Sequence, residues 1–146
     1  LTSSYSGSTD PISANLERVD SASQGTIGSA MSVSSGLWTF PSTGVYLVRM
    51  IAGFYLHNNA DRSFGISIYA TTNNSSYSEV ATSSTNLFDS DDNTSTTVVA
   101  ESYIDVTNTT NVKVKFASFH GHSSGTANTS STVNKFTFTF IRLGDT

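Results

Sequence analysis

His120 and His122 flank Gly121, and this is the pair whose type and spacing come nearest to a transition-metal site. On an extended strand two imidazoles two residues apart fall on one side, and the glycine between them lets another backbone approach. Three copies meeting with this segment on a common axis would offer six imidazoles, enough for an axial transition metal; without that axis both are loop histidines in solvent. Asp89-Ser90-Asp91-Asp92-Asn93 opens like a calcium loop, with oxygens of Asp89, Asp91 and Asn93 at alternate positions. The pattern then departs: Thr94 stands where the sharp turn needs glycine, and Ala100 where a bidentate carboxylate is needed, which leaves an acidic turn or a shallow calcium site. Gly121-His122-Ser123-Ser124-Gly125 has the form of a hydrolase nucleophile elbow, but the polar stretch after it has no helical pattern, and in so Ser-rich a chain the match is expected by chance. Glu101 and Asp105 share a strand face, yet by strand rise they lie ~13 Å apart, too far for a glycosidase pair. No nucleophile, base and orienting group come together in the sequence, and no enzyme is expected.

The elements that would position these residues are strands. Apolar segments are dominated by β-branched and aromatic residues with a period of two, clearest at Phe136, Phe138 and Phe140, which alternate with Thr137 and Thr139. Similar segments run over Ile12 to Val19, Leu37 to Phe40, Val45 to His57, Ser63 to Thr72, Thr96 to Val106 and Val112 to Phe119, with shorter ones at Ala30 to Val33 and Glu79 to Thr82. Between them lie turn-forming clusters, among them Pro41 to Gly44, Thr72 to Ser76, Asn108 to Asn111 and the polar loop from Gly121 to Thr132. Many short strands in 146 residues predict one all-β domain, a two-sheet sandwich or jelly roll, with residues 1–10 as an extended N-terminal arm.

Two strands carry apolar residues on both faces. In Val45 to His57, Tyr46, Val48 and Met50 alternate with Leu47, Ile51 and Tyr55; in Thr96 to Val106, Val98, Ala100 and Ile104 alternate with Val99 and Tyr103. Such second faces need cover, from another subunit or from a loop of the same chain. For a subunit contact the candidates are Leu47, Ile51, Tyr55, Tyr103 and Phe119, with Tyr46, Val48, Met50 and the three Phe rings left to the core.

The composition narrows the partners. The chain holds 27 Ser, 21 Thr and 11 Asn, while only 12% of residues are charged and the net charge is −4. Its seven Lys and Arg are scattered singly, so no basic stripe exists for nucleic acid, and no apolar run approaches the ~20 residues of a membrane helix, so no membrane insertion is expected. A surface of hydroxyls and amides suits hydrogen bonding to a host-surface glycan. Turn residues Asn58, Asn59, Asp61, Asn73, Asn74 and Tyr77 are the candidate ligand-binding positions.

The text SSGLWTFPSTGVYLVRM at Ser34 to Met50, with NKFTFTFIRLGD near the end, resembles the tumour-necrosis-factor/complement C-one-q globular-head superfamily. The likeness lies in the aromatic pair Trp38 and Phe40, the turn at Pro41 and Gly44, Tyr46 opening a long strand, and the closing Phe-rich strand. It implies a ten-stranded two-sheet jelly roll assembled as a homotrimer, the closing strand beside the long central one near the threefold axis. The Ser/Thr/Asn-rich stretches TTNNSSY and DVTNTTNVKVKF look more like globular-head domains of tailed marine bacteriophage virions than like the animal members. That resemblance implies a virion surface protein, as capsid decoration, head fibre or tail-fibre tip, with other virion structural proteins as partners. The alternative is a secreted bacterial lectin-like adhesion module.

Overall fold

The computed structural model describes residues 1–19, 24–56, 63–87 and 94–146. Among them the chain is all-β: β1 (Ser32–Ser34), β2 (Leu37–Thr39), β3 (Gly44–Leu56), β4 (Ser63–Thr71), β5 (Ser78–Asn86), β6 (Thr94–Val106), β7 (Lys113–His120), β8 (Thr126–Asn128) and β9 (Phe136–Gly144). One antiparallel sheet has the order β1-β2-β7-β4-β5. The other has β6 along one edge of β3, with β8 and β9 sharing the opposite edge. The pairings β4 with β5, β3 with β6 and β2 with β7 are nested about the β4–β5 hairpin.

Local chemistry sets the corners. Between β1 and β2 the turn falls on Ser35 and Gly36, both at positive φ. The β4–β5 turn closes on Asn73, whose Oδ1 accepts the amides of Ser75 and Ser76 at 3.0 and 2.9 Å, with Asn74 left-handed beside it. Asn108 does the same between β6 and β7, accepting the amides of Thr110 and Asn111.

The core lies between the sheets and follows strand alternation. From β3 come Tyr46, Val48, Met50, Ala52, Phe54 and Leu56; Phe64, Ile66 and Ile68 of β4 and Val114 and Phe116 of β7 meet them from the other layer. Phe136 is fully buried. Phe138 and Phe140 face the same interior, with Trp38 and Phe116 against both, Phe136 beside Phe138 and Phe40 beside Phe140, but they are half-buried because β9 is a sheet edge.

Three elements differ from the sequence expectation. Residues 12–19 are not a strand: Ile12 docks by its amide on Phe116 O, and Asn15 then takes a left-handed φ of 58° that ends any extended run. Thr126–Asn128, inside the stretch read as a polar loop, is a strand, because β9 pairs with β3 only as far as Ala52 and β8 takes the next three residues of that edge. β5 runs well beyond Glu79 to Thr82, as the outer partner of β4. The N-terminal residues run extended across one end of the sandwich, bridging Ser6 to Thr126 of β8 and Thr9 to Ser118 of β7.

Candidate functional site

The outer face of the β6–β3–β9 sheet carries the surplus apolar residues in ordered cross-strand rows. Tyr103, Leu47 and Ile141 form one row, Glu101, Arg49 and Thr139 the next, and Val99, Ile51 and Thr137 the third. Tyr103 is 70% exposed, and Val99 and Ile141 47% each, while Leu47 and Ile51 are half-buried by their neighbours. In the middle row the guanidinium of Arg49 grips Glu101, with Nη2 2.6 Å and Nε 2.7 Å from Oε2. The face is thus two apolar rows separated by one neutralised charge pair.

Strand alternation brings Leu47, Ile51, Tyr55 and Tyr103 to this one face, Tyr55 lying farther along opposite Ser95 and Thr126. It does not bring Phe119. That ring stands on the outer face of the other sheet, opposite Gly65, so it points away from the Tyr103 rows across the thickness of the sandwich. Ile141 and Arg49 belong to the face and were not singled out from the sequence. The signal for Ile141 was available, since inward Phe136, Phe138 and Phe140 oblige residues 137, 139 and 141 to face outward.

His120 and His122 do not converge. The strand ends at His120, so the alternation that would align the two rings stops one residue short of Gly121. The His120 ring lies inside the sandwich, 5.1 Å from Phe54 and 5.4 Å from Phe64, with Nδ1 2.7 Å from Gly125 O. His122 is exposed and holds the Ser124 hydroxyl 2.6 Å from its Nδ1. A ring sealed inside one subunit cannot be shared on an axis between three, which corrects the expected transition-metal arrangement. Among the described residues no group of three or more His, Cys, Asp or Glu gathers around a common point.

The candidate ligand turns divide. Asn58, Asn59 and Asp61, and the calcium-loop candidates Asp89, Asp91 and Asn93, lie outside the described residues. In the third turn Asn73 spends its carbonyl oxygen on the turn itself, and Asn74 is exposed. Tyr77 is half-buried, its hydroxyl shielded from solvent and its phenol pushed up in pKa by burial, against the opposing pull of Lys115. Lys115 lies 4.8 Å from the Tyr69 ring and 5.7 Å from that of Tyr77 while pairing with Asp10 at 2.7 Å, so this cluster ties the turn to the N-terminal arm.

Among the described residues no helix is long and apolar enough to cross a membrane. No protein-family model matches the chain, and no curated protein matches it.

Proposed function

We propose that this chain is a non-enzymatic structural protein of a bacteriophage virion surface, acting as a homotrimer in capsid decoration, a head fibre or a tail-fibre tip. Its work there is display, stabilisation or attachment to the host surface. The fold in this proposal is a ten-stranded jelly roll like those of the tumour-necrosis-factor/complement C-one-q globular heads. Support for the jelly roll comes from the nested pairings, because a long antiparallel ribbon folded over at β4–β5 and wrapped into two layers requires that order.

The observation that carries the assembly is the apolar outer face of β6–β3–β9. An exposed Tyr103 flanked by Leu47 and Ile141, with Val99 and Ile51 four residues on, is the aromatic and aliphatic composition of an interface centre. Placement on a virion rests on the resemblance of the Ser/Thr/Asn-rich segments. Light scattering of the purified protein at micromolar concentration tests the trimer: a mass of three subunits is expected, reduced to one in Tyr103→Asp. A wild-type monomer would overturn the trimer. Peptides of this chain in purified phage particles, read by mass spectrometry, test the virion assignment.

One observation favours a second reading, a lectin-like carbohydrate-binding module. On the outer face of the other sheet, Phe119 is 53% exposed above Gly65, with Ser84, Ser67 and Thr82 on neighbouring positions. A ring beside a bed of hydroxyls can stack on a sugar and hydrogen-bond its edges. Retention of the protein on immobilised glycans, abolished in Phe119→Ser, would favour it.

A further inference from the structure

β9 closes its sheet on one side only. It pairs with β3, and among the described residues its other edge has no strand beside it, with only the Leu1 ammonium bound at Phe136 O. Alongside that edge runs a groove of about 1060 Å³. Its floor is aromatic: the Trp38 ring lies 5.2 Å from Phe140 and 5.6 Å from Phe138. The indole N–H of Trp38 is buried there without an acceptor. An open strand edge offers alternating N–H and C=O groups at strand spacing, which a polypeptide matches and a glycan or acyl chain does not.

The far wall of the groove is the stretch 24–31, QGTIGSAM. It forms no strand, and its Ile27 side chain is fully exposed although it borders an apolar floor. Within one chain, then, an unpaired strand edge and a strandless segment with an exposed Ile27 lie side by side without joining. Ile141 belongs both to the groove and to the Tyr103 row, so copies packed through that face bring the β9 edges of neighbours close.

We propose that the groove beside β9 is a strand-acceptor site, filled in the assembly by residues 24–31 of a neighbouring copy, with Ile27 on the Trp38, Phe138 and Phe140 floor. Exchange of an identical segment between protomers adds backbone pairing and buries Ile27 without any new sequence. The proposal rests on self-association through the β6–β3–β9 face.

Trp38 is the only tryptophan and the chain has no cysteine, so the test can be made specific. A chain carrying Ile27→Cys with a thiol-linked nitroxide, and Trp38→Phe, is co-refolded in fourfold excess with wild type. The label can then quench only the indole of another copy. At least a twofold loss of Trp38 emission is expected. Unchanged emission in a mixture with trimer mass would overturn the exchange and leave the trimer standing, whereas unchanged emission with monomer mass would overturn both. Hydrogen exchange on unlabelled protein gives a second measurement: the amides of 26–31 should exchange at least tenfold more slowly in wild type than in the Tyr103→Asp monomer. Equal protection in the monomer would mean that each chain fills its own groove, and would overturn the proposal.

Discussion

Tyr5 stands where the N-terminal arm crosses the end of the sandwich, its hydroxyl 2.7 Å from Ser118 Oγ and its ring against His120 and Phe136. Burial pushes its pKa up to about 12, against a smaller opposing effect of the Ser118 hydrogen bond. A phenol that holds its proton more tightly folded than unfolded contributes stability in full below pH ~10, and that contribution is lost as the pH rises through about 12. Alkaline unfolding followed by circular dichroism should therefore show a steeper loss between pH 10 and 12 in wild type than in Tyr5→Phe; identical profiles would contradict it. Gly36 makes a second demand at this scale. It sits at φ +78° with Ile12 O only 2.8 Å from where a Cβ would stand, so Gly36→Ala should cost about 1–3 kcal/mol in urea denaturation. Single residues were the least legible level of the sequence. His120 and His122 look equivalent in the text, and only the end of β7 decides that one ring is core and the other solvent.

Strands were legible where one face had to be apolar. β3, β4, β6, β7 and β9 declare themselves through β-branched and aromatic residues at alternate positions, and the bounds of the first four shift by only a residue or two between text and fold. β5 does not, because its partner β4 fixes it from outside: of its nine residues SEVATSSTN only Val80 and Ala81 are apolar. β8 is set by the vacancy that β9 leaves on β3, a long-range fact with no local signature. Alternation itself is testable on β7. Phe116 is wholly buried, with Phe138 at 4.5 Å and Trp38 at 6.0 Å between ring centres, so Phe116→Ala should cost ~3–5 kcal/mol. Phe119, three residues on and facing outward, should cost within about 0.5 kcal/mol on change to Ser. Comparable losses at both positions in urea denaturation would mean that the register of β7 on β4 is wrong.

For the whole molecule the decisive question is whether water or another subunit lies over the β6–β3–β9 face, and the Arg49–Glu101 pair can answer it. Both side chains are part-exposed in the single chain, at 39% and 49%, where such a pair contributes about 0.2–1 kcal/mol to folding. Under a neighbouring copy the same pair loses its water. Removing one member then strands a desolvated charge, while removing both leaves an apolar surface between rows that are already apolar. Arg49→Leu alone should thus weaken the trimer at least about tenfold, roughly 1.4 kcal/mol, with little effect on the folding of dissociated chains. The double variant Arg49→Leu with Glu101→Leu should recover most of that loss. Sedimentation equilibrium on the wild type, both single variants and the double gives the cycle directly. If the single variants associate as tightly as wild type, the pair stays in water and the Tyr103 face is not the contact. If the double variant is no better than the singles, the pair itself holds the subunits together, and the apolar rows on either side of it contribute less than their exposure suggests.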